Sequence, residues 1–432
     1  MSPGCHPLVF LVAALAGITA CTDPSAGPDH TLLPKPGYLS PTRLGPLDHW
    51  VVRVANDPGM AIVTAGGSGT WGADARHHYS KDQPWNADGT LLALQNQDGG
   101  SPSQVFLDGQ TYLPKHLQCP NYSLYEDRWH PSPAHATERV NVREQELMWF
   151  DVVRCVKTRS WTLPFAVRGI GPSEGNLSFD GRWVALTDET RMFVVDMEAS
   201  VVGPARDLRD CGLISCTLDW VSVAPSGQYV VVTYQGAFVR VYDVAPATLA
   251  LTPRVLPAGA LRCTGTGEQG YVYDLGHADL TQNPFDGGED VLVGQEHCGY
   301  RGEVVGGQLM GGVVMVRLRD GAVTALTDPA NEAYPHHIST RNTARLGWAY
   351  VGYYPASGKR FDDEMVAVKL DGSGVVERYA HQHSAFAGCY RCESHAVPSP
   401  DGRRVLWASN WAHGGDGTPT VIQAFIVESG DR

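Results

Sequence analysis

The sequence predicts an all-β fold, a single β-propeller with seven blades, each a four-stranded antiparallel sheet. Three observations lead to this expectation. The 432 residues include 48 glycines and 29 prolines, which is typical of short strands joined by tight turns. Apolar segments of about four to six residues follow one another, as buried strands do. An Asp-Gly-like turn recurs at intervals of roughly 40–60 residues, as expected for propeller blades.

The recurring turn has one form in its clearest copies, where glycine supplies the positive φ that other residues resist. These copies are Asn86-Ala-Asp-Gly89, Ser178-Phe-Asp-Gly181, Ala224-Pro-Ser-Gly227 and Ser399-Pro-Asp-Gly402. Weaker copies lie in Trp129–Val152, in Pro284-Phe-Asp-Gly287 and at Arg341-Asn-Thr-Ala-Arg345. Two sandwiches in tandem fit the composition as well, but they do not explain the recurring turn.

The first 20 residues have the pattern of an export signal. Their apolar core, Leu8–Ile18, is too short to span a membrane but suits a signal peptide. The following Ile18-Thr19-Ala20-Cys21 resembles the bacterial lipobox, which implies cleavage before Cys21 and acylation of its thiol. Because no Lys or Arg precedes the apolar core, ordinary signal cleavage stays open. We expect an exported protein, either a cell-envelope lipoprotein held at the membrane only through Cys21 or a secreted one.

The domain boundaries follow from composition. Residues 1–20 are assigned to the signal peptide, residues 21–44, rich in Pro, Gly, Ser and Asp, to a flexible tether, and residues 45–432 to the propeller. A net charge of −13 argues against nucleic acid as a partner, and we expect a monomer. Of the ten cysteines, Cys5 leaves with the signal and Cys21 is lipidated, so an even set remains for disulfides. Cys211 and Cys216 are close enough to staple one loop.

Polar residues recur at one phase of the repeat, roughly seven to ten positions before each turn glycine, where the chain enters the innermost strand. Because these entry segments open beside the propeller axis, we expect their side chains to share one polar mouth. A single histidine at such a position is more often structural, bonding to the blade below, but the whole set favours a site. The segments are His77-His78-Tyr79-Ser80-Lys81, Asn176, Asp219-Trp220, Tyr273–His277, His336-His337 and Ser394-His395.

Two resemblances carry the functional hypothesis. The segment from Ser399 to Ser409, Ser-Pro-Asp-Gly-Arg-Arg-Val-Leu-Trp-Ala-Ser, resembles the WD40-like repeats of the TolB propeller class. Three shorter stretches resemble the seven-bladed oligogalacturonate lyases and ulvan lyases. They are Leu275-Gly-His277 with Gln295-Glu-His297 after it, Pro335-His-His337, and Ser394-His395-Ala-Val-Pro-Ser-Pro-Asp-Gly402. This resemblance implies a polysaccharide lyase that cleaves a uronic-acid-containing anionic glycan by β-elimination.

The same resemblance implies a divalent metal site. In oligogalacturonate lyases one blade supplies a histidine and the next a Gln-x-x-His-x-His segment, which here reads Cys392-Glu-Ser-His395-Ala-Val397. The implied ligands are His336, His337, Cys392 and His395. Because thiolate suits zinc particularly, zinc is favoured over manganese, and the metal is then structural or catalytic. A Cys389–Cys392 disulfide beside a histidine is the open alternative.

Elimination next to a carboxylate requires a base, an acid and a cation that neutralises the carboxylate. By resemblance His277 occupies the position of the general base. Arg301 is the candidate cation, and His78 and Tyr79 are candidates for the acid or for holding the sugar. The entry segments also provide the expected substrate-binding residues, which are Lys81, Tyr273, Asp219 and Trp220. The second histidine of an ulvan-lyase mechanism is missing from residues 94–106.

Two other functions remain open at this stage. A non-catalytic surface propeller lipoprotein that binds protein or glycan explains the turn pattern equally well. A glycoside hydrolase requires two carboxylates facing the sugar, for which Asp219 and Glu393 are poor candidates.

Overall fold

The structure is a computed structural model, and it describes most of the chain. The described residues are 33–44, 47, 49–122, 127–172, 174–211, 216–234, 238–255, 272–273, 275–296, 303–305, 308–355, 358–385, 389–412 and 421–429. Within these ranges the strands group into seven blades of antiparallel sheet, which confirms the predicted all-β propeller. The predicted signal peptide, residues 1–20, and Cys21 lie outside the described residues.

The first four blades follow the chain in order. Blade 1 contains Asp74–Arg76, Leu91–Gln97, Gln104–Asp108 and Pro114–Leu117. Blade 2 contains Arg128–Trp129, Glu138–Asp151 and Val156–Val167. Blade 3 contains Trp183–Thr187, Arg191–Asp196, Val201–Val202 and Arg206–Asp207. Blade 4 contains Leu218–Val223, Tyr229–Tyr234, Phe238–Val244 and Leu251–Pro253, with Val272–Tyr273 also paired to its third strand.

The remaining blades continue around the ring. Blade 5 contains Leu275–Asn283, Glu289–Glu296, Val313–Arg317 and Val323–Ala325. Blade 6 contains Pro335–Ser339, Trp348–Tyr353, Glu364–Lys369 and Val376–His381. Blade 7 contains Val397–Pro398, Arg404–Ser409 and Ile422–Glu428. Outside the blades are the hairpins Ala61–Thr64/Gly67–Thr70 and Glu303–Val305/Gln308–Met310 and the 3-10 helices Pro133–His135, Pro284–Asp286 and Tyr390–Cys392.

The ring is closed by a strand from the beginning of the chain. His49–Arg53 pairs antiparallel with Ile422–Glu428, so the last blade takes its outer strands from the N-terminal side. Thr42–Leu44 then pairs with His49–Arg53 at the outer edge. The predicted tether, 21–44, is therefore wrong at its end, because Thr42–Leu44 gains backbone hydrogen bonds from that pairing. Trp411 also donates its indole N–H to the Leu33 carbonyl, 3.1 Å away, which holds residue 33 against the propeller.

The glycines of the predicted turns have the positive φ values that this turn type requires. Gly89, Gly181, Gly227 and Gly402 all have φ between 67° and 76°, in the left-handed region. At Ser399-Pro-Asp-Gly402 the Ser399 hydroxyl donates to the Asp401 carboxylate, 2.5 Å away, and tightens the turn. These turns lie at the end of the propeller opposite to the entry segments, so they position each innermost strand without contributing to the polar mouth.

Blades 5 and 6 are joined by a buried ion pair. Arg341 donates from Nε and Nη2 to the two carboxylate oxygens of Asp279, at 2.9 and 2.8 Å. The Thr340 backbone N–H donates to the same carboxylate at 2.8 Å. Two parallel hydrogen bonds fix both distance and orientation. The pair therefore sets the relative position of the two blades whose entry segments carry His277, His336 and His337.

Candidate functional site

Three successive blades begin with the same backbone irregularity. The innermost strands of blades 4, 5 and 6 have register shifts between Leu218 and Trp220, between Gly276 and Asp279, and between Pro335 and Ile338. A β-bulge places two residues against one and redirects side chains, and bulges are frequent next to active sites. Asp219, His277, His336 and His337 all lie within these bulges. The polar positions that precede the innermost strands in the sequence thus correspond to a repeated local structure, the β-bulge.

The bulges of blades 5 and 6 and the segment that enters blade 7 bring histidines from three blades together. The ring centres of His277 and His337 are 4.4 Å apart, those of His336 and His337 are 4.3 Å apart, and those of His337 and His395 are 4.1 Å apart. We call His277, His336, His337 and His395 the imidazole cluster. His277 and His395 have φ values of 49° and 45°, a region that histidine adopts more readily than most residues. Side chains separated by more than a hundred residues therefore share one mouth, as the entry phase predicts.

Glu393 supplies a carboxylate to this cluster. Its Oε2 atom lies 2.8 Å from Nε2 of His337, 3.7 Å from Nε2 of His336 and 3.8 Å from Nε2 of His395. One ligand atom each from His336, His337 and Glu393 lies within 4.8 Å of the other two. Nε2 of His395 instead faces the Tyr390 carbonyl at 3.3 Å. Among the described residues, His336, His337 and Glu393 are therefore the group that can hold a metal ion.

Burial keeps the imidazoles of His336, His337 and His395 uncharged near neutral pH. It lowers the pKa of His336 to about 4 and moves the pKa of His337 well below its usual value, where His395 and the other neighbouring rings lower it further. Burial also lowers the pKa of His395, with the Arg76 guanidinium as a second cause. The 2.8 Å contact between His337 and Glu393 is thus a hydrogen bond rather than an ion pair. Neutral imidazole is the form that binds metals.

The donor atoms fit a divalent cation, but not through the predicted thiolate. Nδ1 of His337 and Nδ1 of His395 are buried with no hydrogen-bond partner among the described residues. Cys392 is bonded to Cys389, so it has no thiolate to offer, and its assignment as a ligand was wrong. The preference for zinc over manganese rested on that thiolate and is no longer supported. Two imidazoles and a carboxylate suit manganese and zinc alike.

Tyr79 from blade 1 completes the mouth on its fourth side. Its ring centre is 5.0 Å from that of His395 and 5.4 Å from that of His337. Its hydroxyl oxygen lies 3.4 Å from Nδ1 of His277. Burial, followed by the nearby Glu174 carboxylate, raises the pKa of Tyr79 well above its usual value, so the phenol is protonated. Tyr79 is therefore a proton donor placed directly beside His277.

Among the other predicted site residues, Lys81 and Asp219 lie near Tyr79, whereas His78 faces Asp82. Lys81 is only 1% exposed, pairs with the Glu174 carboxylate and lies 4.2 Å from the centre of the Trp220 ring. Asp219 is exposed at the neighbouring bulge. His78 lies elsewhere, with its Nδ1 atom 3.4 Å from the Asp82 carboxylate. The Tyr273 side chain and Arg301 lie outside the described residues.

Two residues of the site, Glu393 and Tyr390, were not predicted from the sequence. Glu393 was considered only as a weak hydrolase carboxylate, although it lies between Cys392 and His395 in the segment assigned to metal binding. Tyr390 is 57% exposed over the cluster, with its ring centre 5.1 Å from that of His395. The disulfide Cys389–Cys392 encloses Tyr390 in a short loop and so holds it there. The sequence feature that points to these two residues is the high density of polar and aromatic residues over 389–395.

The comparisons with known proteins bear on the fold. An oligogalacturonate lyase in complex with manganese is 12% identical, with a TM-score of 0.53 over 88% of this chain and 93% of that chain. An oligogalacturonate lyase from Vibrio parahaemolyticus is also 12% identical, with a TM-score of 0.48 over 88% and 94%. The Neurospora crassa Pan2 WD40 domain is 10% identical, with a TM-score of 0.47 over 82% and 89%.

The first of these likenesses agrees with the architecture. The chain is a β-propeller that resembles the oligogalacturonate lyase propeller. No protein-family model and no curated protein matches the chain. Among the described residues, none of the helices has the length and apolar character needed to cross a membrane.

Proposed function

We propose that the protein is a polysaccharide lyase that cleaves a uronic-acid-containing anionic glycan by β-elimination, with the help of a divalent metal. The observation that carries this proposal is the meeting of Tyr79 and His277 beside the His336, His337 and Glu393 donors. The resemblance to a lyase whose structure contains manganese supports the same conclusion. The proposal includes export and a lipid anchor at Cys21, which rest on the sequence pattern alone.

His277 and Tyr79 are placed for the two proton transfers of the reaction. With its Nδ1 proton directed at the Tyr79 oxygen, His277 has an unprotonated Nε2 that takes the proton from C5 of the uronate. The electron pair forms the C4–C5 double bond, and the bond from C4 to the leaving oxygen breaks. Tyr79 gives its proton to that oxygen. The 3.4 Å contact then lets the Nδ1 proton pass to Tyr79, which restores the phenol and leaves His277 neutral with its proton on Nε2. His277 returns to its starting tautomer when Nε2 loses that proton to solvent and Nδ1 takes one up.

The substrate carboxylate must be neutralised as charge develops on it. A metal held by His336, His337 and Glu393 supplies that positive charge. Lys81 contributes less, because its ammonium is already paired with Glu174. Arg301 stays a candidate from the sequence. The exposed ring of Tyr390 offers the sugar an apolar face at the edge of the mouth.

Metal binding is expected to depend on His337. Replacing His337 with alanine removes the ring that contacts both His336 and Glu393, so the affinity for Mn²⁺ or Zn²⁺ is expected to fall by at least about 100-fold. Isothermal titration of the metal-free protein with each ion measures this. His116→Ala, on the outer strand of blade 1, is the matched control. Equal affinity in His337→Ala and the wild-type protein would place the metal elsewhere.

The elimination itself has a direct test. Purified protein with manganese is incubated separately with pectate, ulvan and related uronates, and the ultraviolet absorbance of the new C4–C5 double bond is followed. Activity on at least one glycan is expected. Glycan binding without a new double bond would instead favour a non-catalytic surface propeller.

A further inference from the structure

A second polar cavity lies on the other side of the segment that carries Tyr79. The chain turns between Tyr79 and Asp82, so that Tyr79 lies against the imidazole cluster while His78 and Asp82 line the cavity. Gln104, Asp127 and Arg139 complete its polar wall. The volume of the cavity that water molecules can occupy is about 40 Å³. This is enough for about three water molecules, and so for two or three hydroxyl groups.

The charges around this cavity balance. Arg139 donates from Nη2 to the Asp127 carboxylate at 2.9 Å, and Arg128 lies 3.7 Å from the Asp82 carboxylate. Two carboxylates therefore face two guanidinium groups. A metal ion is disfavoured by the arginines and a uronate by the aspartates. The wall consequently favours a ligand without a net charge.

Three atoms of the wall have unused hydrogen-bonding capacity. Oδ1 of Asp82, Oε1 of Gln104 and Nη1 of Arg139 are buried with no hydrogen-bond partner within the described part of the chain. Their residues are 6%, 4% and 2% exposed. Buried polar atoms normally have partners, and leaving them without one is costly. The set consists of two acceptors and one donor.

We propose that this cavity binds the hydroxyl groups of a neutral sugar. A pair of neighbouring hydroxyls donates to Asp82 and Gln104 and accepts from Arg139, which satisfies all three atoms while the sugar ring stays at the cavity mouth. Sugars suit this wall because each of two neighbouring hydroxyl groups can both donate and accept a hydrogen bond.

The cavity adjoins the imidazole cluster. The rings of His78, at the cavity, and Tyr79, at the cluster, have centres 6.4 Å apart. We therefore assign the cavity as the subsite for an uncharged unit of a glycan whose uronate lies at the cluster. This assignment of the cavity as a subsite rests on the proposed lyase function, whereas binding of a neutral sugar does not.

The test is binding of neutral methyl glycosides of galactose, glucose and xylose, with methyl galacturonoside as the charged comparison, by ligand-observed NMR. The wild-type protein is expected to bind at least one neutral glycoside in a manner that depends on Gln104, whereas binding of the uronoside at the imidazole cluster does not depend on Gln104. Gln104→Leu removes one acceptor and is expected to weaken binding of the neutral glycoside by about 3–10-fold, as for one neutral hydrogen bond. Asp82→Asn is expected to weaken it as well. Gln110→Leu, an exposed change on the same blade, is the control and leaves binding unchanged.

Melting temperatures of the variants show whether each one folds. Absence of neutral-glycoside binding to the wild-type protein, or equal binding by folded Gln104→Leu and Asp82→Asn, overturns the proposal. Neutral-glycoside binding without any elimination activity supports the cavity and refutes the lyase. Elimination activity without neutral-glycoside binding supports the lyase and refutes the proposed cavity site.

Discussion

Replacement of His277 by asparagine is expected to lower kcat for elimination by about 10²–10⁴-fold, the usual contribution of a general base. Asparagine is preferred to alanine because residue 277 has a φ of 49°, which asparagine tolerates. It keeps a polar group beside Tyr79 but takes up no proton near neutral pH. The rate of double-bond formation measures the effect, and the melting temperature is expected to stay close to that of the wild-type protein.

The matched control for His277 is His116→Asn, a half-buried histidine on the outer strand of blade 1. It is expected to keep full activity. Should His277→Asn lose stability and activity together, His277 would have a structural role. Should it retain activity, the base would have to be sought elsewhere in the mouth.

Replacement of Arg341 by methionine is expected to lower the free energy of unfolding by about 3–5 kcal/mol. Methionine fills similar space but leaves the Asp279 carboxylate buried without its guanidinium partner. Because the pair joins blades 5 and 6, the change also alters the 4.4 Å spacing of the His277 and His337 rings. Denaturation by urea gives the stability, and the elimination assay gives the effect on the mouth.

Glu377→Gln is the control for Arg341→Met. It breaks the Arg345–Glu377 contact, in which the two side chains are 28% and 40% exposed, and is expected to cost at most about 1 kcal/mol. A loss in Arg341→Met no larger than that of the control would mean that the buried pair does not join the blades. Asp279→Leu combined with Arg341→Leu is expected to recover part of the loss, because no buried charge is then left alone.

The fold was accessible to sequence reasoning because its determinants are local. Gly181 and Gly227 mark turns that only a few residue types can form, and the apolar segments beside them form strands. The closing strand had a weaker signal, since Trp50 is half exposed and its partner lies at the other end of the chain. The end of the tether was missed for the same reason.

The site was predictable only in part. The entry phase placed His277, His336, His337 and His395 in one mouth, and the structure places them there. It could not tell which way His78 faces, because the chain turns between Tyr79 and Asp82 and has no regular periodicity there. Nor could spacing decide between a thiolate and a disulfide at Cys392, since two cysteines three residues apart permit both.

The closure of the ring has a consequence for biosynthesis. His49–Arg53 is made before blade 1, but its partner Ile422–Glu428 is made only after blades 1–6. Blades 1–6 can form in the order of translation, while the earliest strand must wait for the latest. A premature stop or a proteolytic cut before residue 422 would leave an open gap with an unpaired strand on each side. Such edges recruit other chains, so truncated copies are expected to aggregate rather than persist as incomplete rings.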